Sequence, residues 1–140
     1  MKVLVDSTVW SLLFRRRRQD LNPVEAAIRD EFSELLKEDR VHMIGAIRQE
    51  VLSGVRDEKQ FEMLRAGLRP FPDEELSADD YETAAAASNT CRAAGISGSA
   101  IDFLICAVAM RRKWLIFSTD RDYMHYQKRL PIDLHAARPR

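Results

Sequence analysis

Apolar residues fall into two patterns along this chain. Short blocks rich in apolar residues occur at Val3–Val5, Val41–Ile44, Trp114–Phe117 and Leu130–Leu134. Runs of this length predict strands, buried ones at Val3–Val5 and Trp114–Phe117. Between them, apolar positions recur at helical spacing. Val9–Phe14 is one such stretch. Asn22-Pro23 places a cap and a first-turn proline before Val24, Ala27, Ile28, Phe32, Leu35 and Leu36, predicting a helix over Pro23–Glu38. Further helices are predicted over Ala46–Ser53 and Asp57–Leu68, with Gly67 weakening the end of the second. Ser77-Ala78-Asp79-Asp80 resembles a capping box with Asp in place of Glu, and opens an Ala-rich helix that ends at Gly95. Ala100–Arg111 is apolar on nearly every side, as in a buried helix. Tyr123–Arg129 predicts a last short helix, while Arg69–Pro72 is too proline-bound for a central strand. Strands alternating with helices predict an α/β fold, with a parallel sheet covered on both faces.

At 140 residues, this pattern fits a single domain, 1–140, with a proper core. The net charge is zero, so no overall field advertises a nucleic-acid partner. The distribution is uneven: Arg15–Arg18 is a run of positives, residues 56–89 carry net −5, and residues 111–140 carry net +5. The arginine run suits either RNA phosphates or an acidic partner, and equally a solvated loop. Arg111, Arg112 and Lys113 at a helix end need no substrate, because cations there offset the macrodipole. Trp10 and Phe14, four apart, suit a core or a partner groove better than a base-stacking platform. Cys91 and Cys106 lack metal-site spacing and read as small buried hydrophobes. The apolar run after Met1-Lys2 is too short for a signal-peptide core, and no run approaches a membrane span. These features predict a cytoplasmic protein.

Candidate chemistry lies in the carboxylates. Asp6 follows the first strand, where ligand crevices of open α/β sheets form. Capping of the next helix is the simpler alternative. Asp102 is the one charged residue within Ile101–Met110. A carboxylate so placed needs a partner: a helix cap, an arginine or a cation. Asp120 ends the strand Trp114–Phe117 much as Asp6 ends the first, with Asp122 two residues on, although STDRD is also ordinary turn composition. Glu50, on a short helix, carries little weight alone. Together these acids make an oxygen-only donor set that suits Mg²⁺ or Mn²⁺ and not Zn²⁺. Carboxylate-bound cations of this kind hydrolyse phosphodiesters through an activated water.

Four segments, VLVDSTVW, RQEVLSGV, GSAIDFLICAVA and STDRDY, occur in the order found in PIN-domain ribonucleases. Across essentially its whole length the chain resembles a VapC-type toxin of a toxin–antitoxin pair. The resemblance implies a three-layer α/β/α domain with a mostly parallel sheet. It also implies an Mg²⁺- or Mn²⁺-dependent endoribonuclease whose catalytic acids are Asp6, Glu50, Asp102 and Asp120. Metal ligands would come from Asp6, Asp102, Asp120 and Asp122, the last as an outer member. Ser7 and Thr119 match hydroxyl positions that orient ligands or water. Similar proteins are homodimers, cut structured RNA, and are covered at the active-site groove by a cognate antitoxin.

Two rivals remain. An Asp-nucleophile phosphatase would use Asp6, but that chemistry wants a second Asp two residues on, where Thr8 stands. A non-catalytic PIN-fold binding module would have no need of acids at all four catalytic positions.

Overall fold

The structure is a computed structural model that describes residues 1–14 and 16–139. Four short strands, β1 (Val3–Val5), β2 (Val41–His42), β3 (Leu115–Phe117) and β4 (Asp133–Leu134), form one parallel sheet in the order β2-β1-β3-β4. Helices α1 (Ser7–Phe14), α2 (Pro23–Lys37), α3 (Gly45–Leu52) and α4 (Glu58–Leu68) follow β1 and β2. Then come α5 (Ala78–Ala93), α6 (Ala100–Arg112) and, beyond β3, α7 (Asp122–Tyr126). Helix α1 packs on α2 and α3, and α5 packs along α6, giving the predicted PIN-like layering of helices about the sheet. Among the described residues, no helix is long and apolar enough to cross a membrane.

Local chemistry explains the element boundaries. Asn22 and Glu25 form a reciprocal capping box ahead of Pro23, which fixes the start of α2. The Val41–Ile44 block yields only a two-residue strand. Met43 leaves the ladder to bridge Asp73 instead. The Leu130–Leu134 block shrinks to Asp133–Leu134. There the Leu130 N–H donates to the Tyr126 carbonyl and Pro131 has no N–H, so pairing begins two residues later. Gly67 permits contact between helices: a Cβ there would meet the Phe14 ring at 2.9 Å.

Trp10 is buried at the centre of the core, where its indole N–H donates to the Val5 carbonyl at 3.1 Å. Phe14, Phe32 and Phe71 pack around it, so this aromatic cluster is core and not a base platform. Every residue of α6 from Phe103 to Ala109 is buried, and so are both cysteines.

Three ionic clusters fasten the periphery. Asp80, fully buried, accepts from Arg111 at 2.6 Å and Arg112 at 2.8 Å. These two arginines therefore join α6 to the start of α5, a tertiary role that the macrodipole explanation overlooks. Glu31 is also fully buried and is bound by His135 and Arg138, which pins the C-terminal segment to α2. Of the arginine run, Arg16, Arg17 and Arg18 pair with Glu25, Asp20 and Asp30, while Arg15 lies outside the described residues. Exposed pairs of this kind hold little energy.

Candidate active site

The strand order determines where a site can form. From β1 the chain moves to β2 on one side, and from β3 to β4 on the other. The crevice of an open parallel sheet lies outside the carboxyl ends of two such diverging strands. Val5 pairs with Phe117, and the Asp6 N–H donates to the Phe117 carbonyl at 2.9 Å. That register sets Asp6 beside Ser118, whose hydroxyl donates to Asp6 Oδ2 at 2.7 Å. The Asp120 N–H in turn donates to Ser118 Oγ at 3.0 Å. One serine thus ties the ends of both strands together.

Asp6 is 4% exposed. Its carboxylate accepts from Thr8 Oγ1 at 3.0 Å as well as from Ser118. Burial pushes its carboxyl above the ordinary range, against these hydrogen bonds and with a contribution from the nearby Glu50 charge. Glu50, half-buried on α3, accepts from the Ser7 hydroxyl at 2.5 Å. Ser7 also lies 3.5 Å from Asp6 Oδ1, so one hydroxyl stands between the two acids.

Asp102, Asp120 and Asp122 form a second group. Each offers an oxygen within 4.8 Å of the other two, close enough that the three could share a cation. All donors are carboxylate oxygens, the set that hard divalent ions take. Asp120 Oδ1 also accepts the Asp122 N–H at 2.9 Å, a turn that starts α7 and aims both side chains from one loop. Asp102 is not the cap of α6. Ser99 has that role, accepting the Asp102 N–H at 3.1 Å. Nor, among the described residues, does Asp102 pair with an arginine: its carboxylate accepts from Tyr123 Oη at 3.3 Å and Tyr126 Oη at 2.6 Å.

All five acids named from the sequence therefore stand at this end of the sheet, in two linked clusters. Asp122, ranked as an outer member, stands inside the group of three, whereas Asp6 keeps company with Glu50. Of the two hydroxyls singled out from the sequence, Ser7 reaches the acids. Thr119 engages through its backbone N–H, which donates to Thr8 Oγ1 at 3.0 Å, while Thr8 and Ser118 serve Asp6. Tyr123 and Tyr126 were missed. Their signal was an i, i+3 pair of hydroxyl-bearing aromatics directly after the acidic loop. Both are buried, and burial together with bonding to Asp102 holds their hydroxyls protonated, as donors.

Comparison with known proteins agrees with this architecture. Solved structures similar to the chain include FitAcB from Neisseria gonorrhoeae, at 16% identity and TM-score 0.72, covering 96% of this chain and 97% of that one. VapBC2 from Rickettsia felis, bound to a DNA fragment from their promoter, matches at 13% identity and TM-score 0.67, covering 96% and 98%. A toxin–antitoxin complex from Klebsiella pneumoniae matches at 19% identity and TM-score 0.61, covering 86% and 88%. At such identities the likeness is one of fold. No curated protein matches the sequence. The family model of the PIN domain, however, matches residues 3–129, and the chain belongs to the PIN domain family.

Proposed function

We infer that the protein is a divalent-metal-dependent endoribonuclease, the toxin of a type II toxin–antitoxin pair. The observation that carries this reading is the convergence of Asp102, Asp120 and Asp122 within 4.8 Å, beside Asp6 and Glu50, at the crevice between β1 and β3. Three carboxylates this close repel one another unless a cation or protons intervene. The group fits Mg²⁺ or Mn²⁺, which when bound would activate water and offset charge developing on the scissile phosphate. Asp102, Asp120 and Asp122 would hold the ion, with Asp6 adjoining through Ser118. Glu50, which accepts from Ser7, would take a proton from water. Ser118 and Thr8 keep Asp6 turned toward the loop. An Asp-nucleophile phosphatase is disfavoured because Thr8 stands where that chemistry wants a second Asp.

The structural neighbours, a toxin–antitoxin complex among them, support an antitoxin partner. A cognate antitoxin, covering the groove, would restrain an enzyme otherwise harmful to its own cell, and the toxin would act as a homodimer. Partner-free protein incubated with total RNA and Mg²⁺ or Mn²⁺ should produce discrete new ends when the products are mapped. Intact RNA under both ions would contradict the assignment and favour a binding module.

A further inference from the structure

Helix α7 does more than follow the acidic loop. It reaches back to the acid on α6. Tyr126 Oη donates to Asp102 Oδ2 at 2.6 Å, and Tyr123 Oη lies 3.3 Å from Oδ1. Asp102 is thereby gripped at both oxygens by the element that Asp120 and Asp122 begin. A neutral hydroxyl takes one lone pair of a carboxylate oxygen and leaves the charge and another lone pair free for an ion. Room for the closer contact is made by Gly98, just before α6. A Cβ there would meet Tyr126 Oη at 2.4 Å and Cζ at 2.8 Å, so any larger residue must displace the phenol. No positive φ is recorded at Gly98, which places its value in this close approach and not in backbone freedom.

We propose that Tyr126, admitted by Gly98, is a positioning residue that fixes the Asp102 carboxylate against the Asp120–Asp122 loop and so sets affinity for the divalent ion. The proposal rests on the metal-site reading above. Hydrogen-bond partners of ligating groups matter because they orient the ligand before the ion arrives, and their loss commonly weakens binding about 10-fold or more. Tyr123, with the longer contact, has the smaller part.

The test is a Mn²⁺ titration of the full chain, reading free ion by electron paramagnetic resonance, with apo melting temperatures taken in EDTA. Tyr126→Phe should bind Mn²⁺ about 10-fold more weakly than wild type while its apo fold remains intact. Gly98→Ala should weaken binding in the same direction by displacing the phenol, and it carries the same readout should Tyr126→Phe fail to fold. Tyr123→Phe should lose less. A purely structural tyrosine would lower the apo melting temperature and leave the affinity of the folded protein unchanged, and equal affinities would overturn the proposal alone. Failure of wild type to bind Mn²⁺ would overturn the metal-site reading, and this inference with it.

Discussion

Asp102→Asn should lower RNA cleavage by about two to three orders of magnitude, the usual cost of deleting a preorganised electrostatic contact at a reacting centre. The change removes ligand charge but keeps an oxygen that Tyr126 Oη can still meet, so the fold should survive. Asp6→Asn and Asp120→Asn should behave alike. Asp122→Asn separates two views of the loop. By its position in the sequence Asp122 is an outer acid, yet it shares the 4.8 Å group with Asp102 and Asp120. Its loss should therefore approach that of Asp102→Asn in cleavage of the same RNA. A variant retaining most activity would return Asp122 to the periphery.

The largest effect on stability is expected far from these acids. Asp80 is fully buried, and Arg112 and Arg111 converge on it from the end of α6. Removing one partner of a buried ion pair costs about 3–5 kcal/mol, because the remaining charge loses its compensation. Arg111 and Arg112 are partly exposed, at 35% and 19% of their side chains, which places Asp80→Asn near the lower end. That corresponds to a fall of about 10 °C in Tm for a domain of this size. Hydrogen bonds from Arg112, outweighing burial and joined by those from Ser77 and Arg111, hold the Asp80 carboxyl well below the usual range. A carboxylate with its folded pKa depressed stabilises fully above the unfolded value of about 3.9 and loses that contribution as pH falls below it. The gap between wild-type and variant melts should therefore be widest near neutrality and close in acid. A shift of only a degree or two at pH 7 would show that the triad contributes little.

What was legible in the sequence was whatever depends on local chain order. Asp6 and Asp120 each follow a short apolar block, and parallel pairing of β1 with β3 brings such ends together. Asp102 was conspicuous because its neighbours are apolar and bury the helix that carries it. Contacts decided by register or by distant packing were not legible. Asp80 looked like a capping residue, and it does accept the Ser77 N–H at 2.9 Å, but its arginine partners lie 31 and 32 residues away. Ser118 and Thr119 are adjacent hydroxyls, and only the Val5–Phe117 register selects Ser118 to face Asp6. Tyr126 was not singled out, because nothing local shows that its hydroxyl ends on an acid of another helix.

Cation dependence of RNA cleavage by the partner-free protein tests the central claim most directly. Activity in Mg²⁺ or Mn²⁺ should vanish with EDTA, return when either ion is restored in excess, and not return with Zn²⁺, since the donors are carboxylate oxygens without histidine or thiolate. Cleavage that continues undiminished in EDTA would contradict the account.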